Sequence, residues 1–111
     1  MISEADVEKA IDWLRDNARP AAQAKAERIY LDEYKKTIEA QLICEATGSS
    51  SMKAAEAIAR ASPRYIAHLQ AMKIAIENDE AMRWLMVAAE AKIEAWRTQQ
   101  ANARAEGKAY T

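Results

Sequence analysis

The chain is predicted to be all-α, on three observations. Strong helix formers dominate its 111 residues, only two glycines and two prolines interrupt them, and the apolar side chains recur at helical rather than alternating spacing. A chain of this length implies one domain. Half of the residues are apolar, but 26 of them are alanine and none is phenylalanine. Alanine buries little area, so the core must be thin or built from closely approaching helices. The expected architecture is an elongated helical hairpin or bundle with a long C-terminal helix, one that oligomerises.

Helices are expected over 4–18, 20–47, 51–61 and 63–106, with a frayed tail at 107–111. Ser3 caps the first helix, and Glu4 and Asp6 meet the positive end of its dipole. Val7, Ala10, Ile11 and Leu14 then recur at helical spacing. Arg19-Pro20 closes that helix, and Pro20 suits the first turn of the second. The second helix carries Leu31, Tyr34, Ile38 and Leu42 along one side, with Ile29 and Tyr30 flanking, and Gly48 is its expected C-terminal cap. Gly48-Ser49-Ser50-Ser51 is the one obvious loop.

The short third helix, MKAAEAIARA, stops at Ser62-Pro63, where Ser62 caps the fourth and Pro63 takes its first position. No glycine or proline follows until after Glu106. Unbroken, that stretch would make a rod of roughly 66 Å. Either it breaks near Asn78, where Glu77-Asn78-Asp79-Glu80 could restart a helix, or the protein is elongated.

The segment RWLMVAAEAKIEAWR, residues 83–97, is informative about partners. At about 100° per residue, Met82, Leu85, Met86, Ala89, Ile93 and Trp96 form one bulky stripe. Trp84, Ala88, Ala91 and Ala95 form a second stripe on the other side. Two stripes imply two packing partners. The bulky one is the intramolecular core. The alanine stripe suits a close-lying helix, either a second copy of the chain or the 51–61 helix of the same chain. Arg83, Glu90, Glu94 and Arg97 make a polar strip between them, a solvated surface or, with Arg104, a contact for phosphates.

Catalytic chemistry is not expected, nor is a cofactor or a metal. The one histidine, His68, has no ligand-spaced neighbours. Glu77-x-x-Glu80 resembles half of the magnesium site of all-α nucleotide pyrophosphohydrolases, but Glu90-Ala-Lys-Ile93 and Glu94-Ala-Trp-Arg97 supply no second acidic pair. Cys44 is a single thiol without an activating partner in sequence, which fits a reducing cytoplasm. The start MISEADVEKA has no secretion pattern, and no apolar run reaches membrane-spanning length.

Net charge is −1, so any nucleic-acid contact must be local. Lys53, Arg60, Arg64 and Lys73 cluster around the helix–turn–helix corner of residues 51–73 and are the candidate DNA contacts. Ser62-Pro63 is too short for the usual recognition turn, and base-reading side chains are few, so the corner suits non-specific phosphate contact better than groove reading.

The pattern Ala61-Ser62-Pro63-x-Tyr65-Ile66, Glu77-x-x-Glu80-Ala81-x-Arg83-Trp84, Ala88-Ala89-x-Ala91-x-Ile93-Glu94-x-Trp96-Arg97 and Asn102-x-Arg104 resembles a group of small helical proteins of tailed bacteriophages and prophages. The resemblance spans residues 50 to 106. It implies a phage origin, residence in the host cytoplasm and, more loosely, a setting among replication and recombination functions. It supplies no catalytic residue. The expected function is that of a non-enzymatic accessory protein. It would bind DNA or a DNA-bound protein as a homo-oligomer assembled through Trp84, Ala88, Ala91 and Ala95. The alternatives are a module that inhibits or redirects a host protein, and a virion assembly protein.

Overall fold

A computed structural model describes residues 1–46, 48 and 51–109. Four helices follow one another: α1 (Glu4–Asp16), α2 (Ala18–Glu45), α3 (Met52–Ala61) and α4 (Pro63–Ala109). No strand occurs among the described residues. None of the helices is long and apolar enough to cross a membrane.

Each boundary has a local cause. At the start of α1 the Ser3 hydroxyl accepts from the Asp6 amide at 3.1 Å, and the Ser3 amide donates to the Asp6 carboxylate at 2.9 Å. This capping box satisfies two otherwise orphaned donors. The Ser3 amide, with help from the hydroxyl, holds the Asp6 carboxyl below the ordinary carboxylate value. Between α1 and α2 only Asn17 leaves the helical path, two residues before the break that the sequence predicts at Arg19. The Asn17 backbone amide and its Nδ2 both donate to the Trp13 carbonyl at 2.9 Å, and the Ala21 amide donates to the Asn17 carbonyl. Pro20 therefore falls inside the first turn of α2, where its missing amide costs no hydrogen bond.

The second helix ends at Glu45 rather than 47; Thr47 lies outside the described residues, as do Ser49 and Ser50 of the expected loop. Gly48 has φ of 85°, the left-handed conformation that glycine adopts without strain. Ser51 caps α3 by accepting from the Ala54 amide at 3.1 Å. Ser62 alone separates α3 from α4, its backbone extended as a residue before proline prefers, and its carbonyl accepts from the Ile66 amide. From there α4 runs unbroken through Asn78 and beyond residue 106, with Gly107 helical. Asn and Gly weaken a helix interior by under about 1 kcal/mol each, too little to open one by themselves. Of the tail expected to fray, 107–109 is helical, and Tyr110 and Thr111 lie outside the described residues.

The contacts group into two compact units: Met1–Ala21 with Ala81–Thr111, and Ala22–Glu80. In the second, Ile38 and Leu42 of α2 pack with Ala59 of α3 and Tyr65 of α4, flanked by Tyr34 and Ile43. Ala55 and Ala59 are the buried positions of α3, and Ala59 is only 1 % exposed, so α3 lies close against its neighbours. His68, 8 % exposed, donates from Nε2 to the Leu31 carbonyl at 2.7 Å and sits beside the Tyr34 ring. Tyr34 in turn stacks on Tyr30 with ring centres 5.7 Å apart. Arg28 reaches Asp79 and Glu80 at 3.1 Å each, tying α2 to α4 in the stretch where the sequence leaves a break open.

In the first unit the buried positions are Val7 and Ala10 of α1 and Ala89 of α4. Trp13, Leu14, Met82, Met86, Ile93 and Trp96 are half-buried around them. No large side chain among the described residues is fully enclosed. The thin core that an alanine-rich composition implies is what forms.

Candidate binding surfaces

The basic corner belongs to the second unit. About 100° per residue places Lys53 and Arg60 on one side of α3, and sets Arg64 and Lys73 on opposite sides of α4. The four cations therefore do not converge on one patch. Two of them are already engaged by α2. Arg60 donates to the Glu39 carboxylate from Nη2 at 3.0 Å and from Nε at 3.3 Å, and Glu39 holds this guanidinium above its ordinary value. Arg64 donates to the Gln41 amide oxygen at 2.6 Å and lies 3.9 Å from the Glu45 carboxylate. Lys53 and Lys73 are exposed.

Sequence reasoning missed Glu39, Gln41 and Glu45 as partners of the corner. Gln41 and Glu45 lie four residues apart on one side of α2, and Glu39 lies well round the helix from both, so no single stripe of that segment announces all three. It also missed Arg28, whose own partners, Asp79 and Glu80, read in sequence as a helix restart. Glu80 is thus occupied by a guanidinium rather than facing a metal-binding partner, and Glu77 is exposed. Among the described residues no three His, Cys, Asp or Glu side chains come close enough to share a metal ion. Cys44 is an exposed free thiol.

The outward face of α4 lies in the first unit. Trp84 is 61 % exposed, Val87, Ala88 and Ala91 are exposed and Ala95 is half-buried. The Arg83 guanidinium stands 5.1 Å from the centre of the Trp84 ring, a cation–π contact that leaves most of the indole open. Trp84 thus keeps most of its surface open, and residues 51–61 have Ala55 and Ala59 as their buried positions. Trp96 is half-buried with Met82, Met86 and Ile93. The two tryptophans thus face different surroundings, as their angular separation requires.

Leu85 is the exception on the bulky stripe. It is 53 % exposed, at the edge of the stripe. With Lys9, Ala10 and Trp13 of α1 and Ala88, Ala89 and Lys92 of α4 it lines an open groove of about 260 Å³. Its alanine floor is shallow, and a lysine stands on each helix. Smaller hollows lie beside Ile29 and Ile76, and beside Leu42 and Ile58. None encloses a small molecule as a catalytic pocket does. No family model matches this chain, and no curated protein or solved structure matches it either.

Proposed function

We propose that the protein is a non-enzymatic accessory protein of phage origin that self-associates and acts by binding another protein in the host cytoplasm. The observation that carries this reading is the open face of α4: a mostly exposed tryptophan leading Val87, Ala88, Ala91 and Ala95 along one side. Large apolar side chains left in water over a contiguous helix face mark a protein contact. Tryptophan is also the residue most enriched where interfaces gain their affinity. Further exposed apolar residues in the second unit, including Ile29, Tyr30, Ile58 and Ile74, offer a surface for a different protein.

The test is the light-scattering mass of the wild type against Trp84→Ala, with helicity followed by circular dichroism. An oligomer that falls to monomer while its helicity is retained supports the reading. A wild-type monomer at all concentrations overturns self-association.

Direct DNA contact is a second reading, favoured by the exposure of Lys53 and Lys73 and by the resemblance to phage proteins. An oligomer would repeat these weak cationic sites, so that avidity holds the DNA. Because Arg60 and Arg64 already meet acceptors on α2, contact through this corner should be weak and vanish with added salt. A gel shift at low salt that shows no complex with single- or double-stranded DNA rules it out.

A further inference from the structure

Resting on that self-association, we infer that two copies pair antiparallel through α4, each Trp84 seated over Ala95 of the other copy. Three features of the exposed face specify this arrangement over a parallel one. The first is size. Trp84, Ala88, Ala91 and Ala95 fall within about 60° of one another around the helix. An antiparallel two-fold axis at the level of Ala89-Glu90 brings residue 84 opposite 95 and residue 88 opposite 91. The one bulky side chain then meets a small one at both ends, and alanines meet at the centre where the helix axes come closest. Parallel pairing would set Trp84 against Trp84 and leave Ala95 against Ala95, a collision at one level and a gap at the next.

The second feature is charge. Arg83 and Glu94 lie on the same flank of α4, roughly 100° from the middle of the face. In an antiparallel two-fold pair, like flanks meet. The same register therefore brings Arg83 within reach of Glu94 of the second copy, and the symmetry repeats the contact. Parallel pairing at equal register brings no opposite charge to Arg83.

The third feature is the state of Trp84 itself. It is mostly exposed, with its own Arg83 guanidinium 5.1 Å from the ring centre, so the indole can be buried by a partner without first leaving its own core. An isologous contact of this kind closes on itself and stops at two subunits, unlike a head-to-tail contact.

The test exchanges the large and small residues. Wild type is expected to scatter as a dimer. Trp84→Ala, which leaves two gaps, and Ala95→Trp, which sets tryptophan against tryptophan, are each expected to shift to monomer. The double variant is expected to return to dimer, and a mixture of the two single variants to form a heterodimer. A second measurement does not depend on those variants folding. A spin label on Asn102→Cys, in a Cys44→Ser background, should report copies about 37 Å apart along the helix axis if pairing is antiparallel. Parallel pairing would give about 10 Å. A wild-type monomer overturns self-association and this pairing together. A dimer with the short label distance, or one in which Ala95→Trp still dimerises and the double variant does not, overturns the pairing and leaves self-association standing.

Discussion

The two compact units solve the same shortage of large apolar residues in different ways. The unit of residues 22–80 builds a three-helix core around Ile38, Leu42, Ala59 and Tyr65, then adds polar ties: His68 to the Leu31 carbonyl, Arg28 to Asp79 and Glu80, Arg60 to Glu39. The unit of residues 1–21 and 81–111 is built mainly from α1 and the second half of α4, and among its described residues it buries only Val7, Ala10 and Ala89, leaving Trp84, Leu85 and Val87 open. A short α1 can cover only one stripe of α4. Both units leave large apolar side chains in water, the second on scattered residues such as Ile29, Tyr30, Ile58 and Ile74. The thinner unit differs in leaving its one exposed tryptophan at the head of a stripe of small residues, and that is the reason to place assembly there.

Mutations can break or sharpen that contrast. The largest loss is expected for Tyr65→Ala, which empties the centre of the three-helix core. Aromatic truncations of this kind cost about 3–5 kcal/mol, read as a lower urea midpoint with helicity lost across α2 and α3. If Tyr65→Ala cost no more than a surface change, that core would not hold its unit together. His68→Leu keeps the bulk but removes the donor to Leu31, and should cost about 1–2 kcal/mol. Hydrogen exchange would place that loss in α2 and the start of α4, and an undisturbed Leu31 region would show that the bond contributes nothing.

Val7→Ala should cost about 1.6 kcal/mol, two methylene equivalents at the α1 interface. Its signature is faster amide exchange in α1 with the Tyr65 core unchanged. Coupled loss in both units would erase the distinction between them. The smallest effect is expected for Ser3→Ala, about 1 kcal/mol, confined to the first turn of α1.

The same cap sets the acid response. The Asp6 carboxyl lies below its ordinary value when folded, so its contribution is full above the unfolded-state value. It is lost as pH falls through the folded one. α1 should therefore fray on acidification, followed by amide exchange or NMR, and Asp6→Asn should abolish that part of the pH dependence.

Much of this was legible in the residues themselves. Ser3 with Asp6 announces a helix start because a side-chain oxygen three residues before an amide needs no tertiary partner. Ser62-Pro63 likewise marks a boundary through the steric bias that proline places on the residue before it. The separation of Trp84 from Trp96 follows from helix geometry alone. The corner residues Arg60 and Arg64 show the opposite. As sequence they read as free cations, and folded they are drawn onto Glu39, Gln41 and Glu45, some twenty positions away.

The sequence by itself therefore determined the all-α class, the four helices and the division of α4 into unlike faces, since all of these depend on neighbours within a few residues. Only the tertiary structure decided that α4 passes through Asn78 intact, that His68 is buried against a backbone carbonyl, and that Leu85 stays exposed. Those outcomes depend on which distant side chains arrive. Arg28, with its charge opposite to that of Asp79 and Glu80, is the clearest case: its partners lie 51 and 52 residues away, beyond what any local pattern can specify.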